Sequence, residues 1–241
     1  MSTDNLYNEY REKIADFVFD EKVASVFDDM IERSIPGYAT IIGMTKVFAE
    51  RYVRSNTTCY DFGCSTGAST IAMRNGIDKP GCKIIAVDNS SPMIDRCSKI
   101  IAEHKSDIPV DILCADIVGV DIANASMVVM NFILQFLSPE NRPNMVQRIY
   151  DGMVDGGVFL ISEKIKWDND TENQFNVEMY HEFKKLMGYT DLQINQKRKA
   201  LENVLICDTL QTHRDRLKTA GFSKIDVWFR CFNFVSIAAF K

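Results

Sequence analysis

The stretch Tyr60-Asp61-Phe62-Gly63-Cys64-Ser65-Thr66-Gly67 closes an apolar, strand-like run (residues 57–62) and opens a helical one (residues 67–75). Glycine at such a turn lets the backbone come close to a ligand, and the start of the following helix presents N–H groups that have no partner within the helix. The alternation continues downstream. Residues 82–88, 110–114, 126–132 and 157–162 read as buried strands, with helical spacing over 91–104 and 139–151. Strands that are apolar on both faces and alternate with helices predict an α/β fold: a mostly parallel, Rossmann-like sheet covered by helices. Near the end, a helix is predicted about 208–220, closed by Gly221. Two β-rich runs, 224–230 and 231–240, follow so closely on each other that they are predicted to pair antiparallel.

Upstream of the loop, Val23, Val26, Phe27, Met30 and Ile31 recur at helical spacing, and Pro36-Gly37 ends that helix. A second helix is predicted over 39–54, with Ile41, Ile42, Met44, Val47, Phe48 and Tyr52 facing the core. Residues 1–20 are polar with scattered aromatics and read as a loosely held arm. Residues 164–206 interrupt the strand–helix alternation with a charged, largely helical pattern, an insertion or lid rather than a second domain. The expectation is one domain over 1–241, with a helical arm over about 1–55 and a helical insertion over about 164–206.

The chain has 241 residues, 46% hydrophobic and 25% charged, with a formal charge of −5. Those proportions exclude a disordered or fibrous protein. The acidic balance disfavours direct nucleic-acid binding, which draws its affinity from Lys and Arg. No apolar run approaches the roughly 20 residues that span a bilayer, so no membrane partner is expected. Neither a signal-peptide pattern nor a Cys-x-x-Cys pair is present among the seven cysteines, so reduced thiols and a cytoplasmic location are expected. The three histidines are not spaced as metal ligands, and no metal site is expected.

Two ligand classes use a glycine loop of this kind: dinucleotides, whose pyrophosphate sits on the N–H groups, and S-adenosylmethionine. Asp61 separates them. A buried negative charge repels pyrophosphate but suits the ammonium and sulfonium of S-adenosylmethionine. The first-strand motif Asp-x-Gly-x-Gly-x-Gly of the S-adenosylmethionine superfamily is matched, except that Ser65 replaces the middle glycine. Asp88 ends the second strand, where a carboxylate accepts ribose hydroxyls. It can equally cap the next helix beside Ser90 and Ser91. Asn89 reaches the ribose or the adenine edge. Asp116, past the third strand, suits the adenine amino group, with Ile117 packing on the ring. Asn131 ends the fourth strand, where many methyltransferases place the residue nearest the reacting methyl. All fall at the carboxyl ends of successive strands, the edge at which open α/β sheets bind ligands.

Phe19-Asp20-Glu21, Ile35-Pro36-Gly37-Tyr38, Asn131-Phe132-x-Leu134-Gln135-Phe136, Gln196-Lys197-Arg198-x-Ala200-Leu201-Glu202-Asn203-Val204 and Trp228-Phe229-x-Cys231-Phe232-Asn233-Phe234 resemble the carboxy-S-adenosyl-L-methionine synthase family, from about residue 17 to the end. The resemblance implies a class I S-adenosylmethionine-dependent methyltransferase fold, with a seven-stranded sheet and an antiparallel C-terminal strand. It also implies conversion of S-adenosylmethionine and prephenate to carboxy-S-adenosylmethionine and phenylpyruvate. As the family suggests, prephenate gives up its ring carboxylate and a transient sulfonium ylide traps it. The product then serves a partner enzyme that makes the 5-oxyacetic acid form of the tRNA wobble uridine. A homodimer is implied as well. Carried over by position, cofactor contacts fall on Tyr38, Gly63, Cys64, Ser65, Asp88, Asn89, Asp116, Ile117, Asn131 and Arg198.

Arg198 and Tyr38 are the expected catalytic pair. A guanidinium near the donor methyl is repelled by the sulfonium but becomes a bidentate partner once that carbon carries a carboxylate. Tyr38 donates a further hydrogen bond to the same group. Local sequence alone also permits Arg198 to be a solvated charge within Lys197-Arg198-Lys199. For the prephenate dianion, Lys199 and Arg54 are the weak cationic candidates. The rival readings are an ordinary methyltransferase acting on a small molecule or tRNA, a non-catalytic binding subunit, and a nicotinamide oxidoreductase.

Overall fold

The computed structural model describes residues 3–241. Strand β1 (Thr58–Phe62) is buried along its whole length because it lies near the middle of a seven-stranded sheet. β2 (Lys83–Asp88) and β4 (Ala125–Asn131) flank it in parallel. β3 (Val110–Cys114) forms one edge and β5 (Met153–Lys164) continues the other side, also in parallel. β6 (Lys224–Cys231) and β7 (Phe234–Phe240) complete the order β3-β2-β1-β4-β5-β7-β6, with β7 antiparallel to both β5 and β6. The parallel sheet and the antiparallel C-terminal strand follow the expectation. β5 outruns the predicted 157–162 at both ends: Met153 pairs with Ala125 of β4, and the pairing of Val158 to Lys164 with Phe240 to Phe234 carries it two residues further.

Helices α1 (Glu21–Ser34), α2 (Tyr38–Tyr52), α3 (Ala68–Gly76), α4 (Ser91–Glu103), α5 (Arg142–Gly152) and α8 (Leu210–Ala220) cover the two faces. α1 begins where the Asp20 carboxylate accepts the Val23 N–H at 2.9 Å, and it buries Val23, Val26, Phe27 and Met30. On α2, Ile41 is buried and Phe48 and Tyr52 pack on the core as expected, but the buried stripe also takes in Thr45 and Ala49 and leaves out Val47, which is 44% exposed. The reason is close packing against α3: a Cβ on Gly76 would sit 2.3 Å from the Lys46 carbonyl oxygen, so small residues occupy the contact.

Residues 164–206 contain α6 (Asp170–Leu186) and α7 (Asp191–Leu201). A capping box between Thr190 and Gln193 starts α7. The arm over residues 3–20 is held, contrary to the loose segment expected from its polarity; Met1 and Ser2 lie outside the described residues. α7 holds it with polar groups. Gln196 accepts the Arg11 N–H at 2.8 Å and donates to the carbonyls of Tyr7 and Glu9. The Ala200 carbonyl accepts the Phe17 N–H at 2.9 Å. The Asp4 N–H donates to the Asp29 carboxylate at 2.7 Å, and the Asp4 carboxylate accepts the Tyr189 hydroxyl at 2.6 Å. Phe17 then joins Val23, Phe27, Met93 and Ala200 in a common apolar cluster.

Candidate functional site

The carboxyl ends of β1, β2 and β4 meet under α1. After β1 the chain turns through Gly63 (φ 73°) and Ser65 (φ 49°), both left-handed, and the N–H groups of Gly63 and Cys64 donate to the Val87 carbonyl on β2. At Gly63 the glycine is required twice over, since a Cβ there would also stand 2.1 Å from Ile133. Asp88 fixes the rest of the loop. One carboxylate oxygen accepts the Ser65 N–H at 3.0 Å, the other the Ser90 N–H at 2.9 Å. Cap duty for α4 falls to Ser90, whose hydroxyl accepts from Met93. Asp88 thus ties the glycine loop to β2, and each of its oxygens retains a lone pair for a ligand hydroxyl.

Asp61 lies behind the loop, fully buried, and accepts the Thr70 hydroxyl at 2.5 Å. Burial pushes its carboxyl up to about 7, against the pull of Thr70. Asp28, which the sequence reading did not single out, reaches over from α1 and accepts the Thr66 hydroxyl at 2.7 Å. Among the described residues none of Asp28, Asp61 and Asp88 pairs with a Lys or Arg. Three uncompensated carboxylates around one loop form a seat for a cation and repel pyrophosphate. Burial, followed by the charges of Asp28, Asp61 and Glu32, raises the Tyr38 hydroxyl above its ordinary value, which keeps it protonated as a donor.

Tyr38, Gly63, Ser65, Asn131, Phe27 and Phe132 are among the residues lining one cleft here. A larger groove runs between α1 and α4. It shares only Thr66 with the cleft and carries none of the predicted site residues, so the smaller cleft is the candidate site. Asn131 is pinned on both sides: its amide donates to Ser69 at 3.0 Å and its oxygen accepts from Ser162 at 2.7 Å. Phe132 follows in the left-handed region (φ 64°), which a bulky side chain rarely adopts and which is concentrated at functional sites. Cys64 is buried against Cys97, and that contact together with burial raises its thiol far above the ordinary value. Asn89 is exposed. Asp116 is exposed too and caps a short turn by accepting the Val118 N–H at 2.9 Å, while Ile117 is buried in the main core beneath it.

The methyltransferase domain family matches residues 60–157. Human N-acetylserotonin methyltransferase, solved in complex with SAM, has the same fold, with a TM-score of 0.60 over 92% of this chain and 55% of that one, at 13% identity. The protein named carboxy-S-adenosyl-L-methionine synthase in Pasteurella multocida is 48% identical over 241 residues, 100% of both chains. Its namesake in Marinobacter nauticus is 50% identical over 239 residues, 99% of this chain and 95% of that one. The chain belongs to the carboxy-S-adenosyl-L-methionine synthase family.

Within this family member the cleft brings together Tyr38, Gly63, Cys64, Ser65 and Asn131. Arg198 stands apart. It is exposed on α7 and does not line the cleft, although its charge is felt at Lys164 and His181. Of the two weak cationic candidates, Lys199 is exposed. Arg54 lies at the opposite, amino-terminal edge of the sheet, where its N–H donates to Ser126.

Below the cleft, the turn at Leu134–Phe136 is anchored by groups the sequence reading missed. The buried Glu163 carboxylate accepts the N–H groups of Leu134 and Gln135 at 2.8 and 3.1 Å. Burial pushes that carboxyl up to about 8, with the two amides and Arg142 pulling it back. Arg142, 1% exposed, donates to the carbonyls of Leu137, Gln135 and Ile206 and pairs with Asp208 at 2.8 Å. The insertion is thereby tied at its exit to the floor of the site. Isolated arginines in a sequence give no sign of such a role, because the partners are backbone carbonyls.

Proposed function

We propose that the protein converts S-adenosylmethionine and prephenate to carboxy-S-adenosylmethionine and phenylpyruvate. The product would supply the donor for the 5-oxyacetic acid modification of the tRNA wobble uridine by a partner enzyme. The observation that carries this reading is the full-length match, at 48–50% identity, to proteins named for that synthase. The charge around the glycine loop supports it independently: Asp28, Asp61 and Asp88 surround the loop beside which a ligand bearing an ammonium and a sulfonium would sit.

In this reading Asp88 and Asn89 take the ribose hydroxyls and Asp116 the adenine edge. The Gly63–Ser65 backbone lies along the amino-acid portion. Bound S-adenosylmethionine supplies an acidified methyl group, whose hydrogen is exchanged for the carboxylate that prephenate releases, with phenylpyruvate and water as the other products. Phe27 and Phe132 keep water from the cleft, and Asn131, fixed between Ser69 and Ser162, stands beside the reacting carbon. Tyr38, held protonated, donates to the new carboxylate, and Arg198 is its cationic partner.

Full-length protein incubated with both substrates is expected to yield phenylpyruvate and a nucleoside heavier than S-adenosylmethionine by one carboxyl group, read by mass spectrometry. Phenylpyruvate without the carboxylated nucleoside, or neither product, overturns the reading. A plain methyltransferase is the second reading, and the exposed position of Arg198 favours it. The two part at Arg198→Ala. The synthase reading expects calorimetry to show about tenfold or more loss of affinity for the carboxylated nucleoside and little change for S-adenosylmethionine. Equal losses for the two ligands remove the selective role of Arg198.

A further inference from the structure

Lys164, at the end of β5, and Lys184, in the last turn of α6, bring two ammonium groups to one aromatic ring. Their Nζ atoms lie 4.8 and 4.6 Å from the centroid of Tyr180. Lys184 is 5% exposed. Among the described residues neither nitrogen has a hydrogen bond or a carboxylate at ion-pair distance. The ring face offers each a cation–π contact, which replaces only part of the lost hydration. The acid whose charge reaches Lys184 is Asp4. Asp4 is already engaged by Lys197 at 3.6 Å and by the Tyr189 hydroxyl at 2.6 Å. His181 stands in the same positive field. Burial and then neighbouring cations push Lys184 well below its ordinary value. Burial and then Arg198 lower Lys164.

Lys184 is buried and Lys164 half-buried, and two cations held on one ring with no carboxylate partner call for a compensating anion in the working state. The surroundings identify the class of anion. Tyr180 meets Phe234 at 5.1 Å between ring centroids, and Phe234 meets Phe132, a wall of the cleft, at 6.0 Å. Tyr38 packs against the same aromatic cluster. Apolar ring faces beside two ammonium groups, adjoining the cofactor cleft, suit a small ring compound with two carboxylates.

We propose that Lys164 and Lys184, gathered on Tyr180, seat the carboxylates of the second substrate. This rests on the prephenate reading above and gives that dianion a binding site. Lys164→Met, Lys184→Met and Lys184→Arg are tested in the full-length protein. Each Met variant raises the KM for prephenate about tenfold or more, the loss of one charged hydrogen-bonded contact. Affinity for S-adenosylmethionine, measured by calorimetry, stays within about twofold, which also verifies folding, and Lys184→Arg recovers part of the KM. Lys184→Met also melts at or above the wild-type temperature, since it removes an uncompensated buried charge. An unchanged KM in both Met variants, with wild-type turnover intact, overturns this site and leaves the proposed reaction standing. A wild-type protein that neither turns over nor binds prephenate overturns both.

Discussion

Asp88→Ala is expected to weaken S-adenosylmethionine binding by about 100-fold or more, which is roughly the loss of two contacts to a charged acceptor. The Asp88 carboxylate is an acceptor for two backbone N–H groups before any ligand arrives, Ser65 at 3.0 Å and Ser90 at 2.9 Å. The first of these holds Ser65 in its left-handed turn (φ 49°), and the second fixes the entry to α4. Alanine leaves both donors without a partner and removes the acceptor proposed for the ribose. Asp88→Asn separates the two effects. It keeps one oxygen but turns an amide N–H toward a backbone N–H, so one of the two loop contacts is lost while the shape is retained. An intermediate loss of about tenfold is expected. Calorimetric titration with S-adenosylmethionine gives the affinities, and thermal melting separates loop effects from global unfolding. Binding by Asp88→Ala within about threefold of wild type would show that the loop holds its ligand without this carboxylate.

Arg142→Met is expected to lower stability by about 3–5 kcal/mol, the range for breaking a buried pair by removing one partner. In a chain of this size that corresponds to a fall of about 10 °C in melting temperature. The side chain is 1% exposed and touches three separate pieces of the fold. Its Nε donates to the Leu137 carbonyl at 3.0 Å. Its Nη2 bridges the carbonyls of Gln135 and Ile206 at 3.2 and 3.0 Å, and its Nη1 pairs with Asp208 at 2.8 Å. Methionine fills much of the volume but satisfies none of these acceptors, and only Asp208 keeps a second cation, Arg216 at 2.6 Å. Because the same turn carries Leu134 and Gln135 onto Glu163, turnover is expected to fall along with stability. Chemical denaturation checks the first effect and a turnover assay the second. A melting temperature within about 2 °C of wild type would mean that the carbonyls find water and that the network adds little.

The sequence made the parallel sheet and the glycine loop legible because both depend on local regularities. A strand buried on both faces runs apolar at successive positions, as Met127 to Met130 of β4 do. A turn from strand to helix over a ligand requires glycine where φ is positive, as at Gly63. The polar residues at strand ends could be read for a similar reason: once the strands are placed, topology puts Asp88, Asp116 and Asn131 on one edge. The failures also have definite causes. The arm over residues 3–20 looked loose because its partners are polar groups on α7, nearly two hundred residues away in sequence. On α2 the apolar spacing found Ile41, Phe48 and Tyr52 but included Val47 and missed Thr45 and Ala49, because the close approach of α3 at Gly76 buries small residues that hydrophobicity does not mark.

What the sequence determined by itself was the order of elements, the parallel sheet with its reversed last strand, and the edge at which a cationic nucleoside would sit. These follow from periodicity and from the conformational limits of single residues. Only the tertiary structure decided that Asp28 joins Asp61 and Asp88 around the loop, that Lys164 and Lys184 share the Tyr180 ring, and that Arg198 is exposed on α7. Each of these depends on the direction in which a side chain leaves one element toward another. A charge in a linear sequence carries no sign of whether water or a distant ring will surround it.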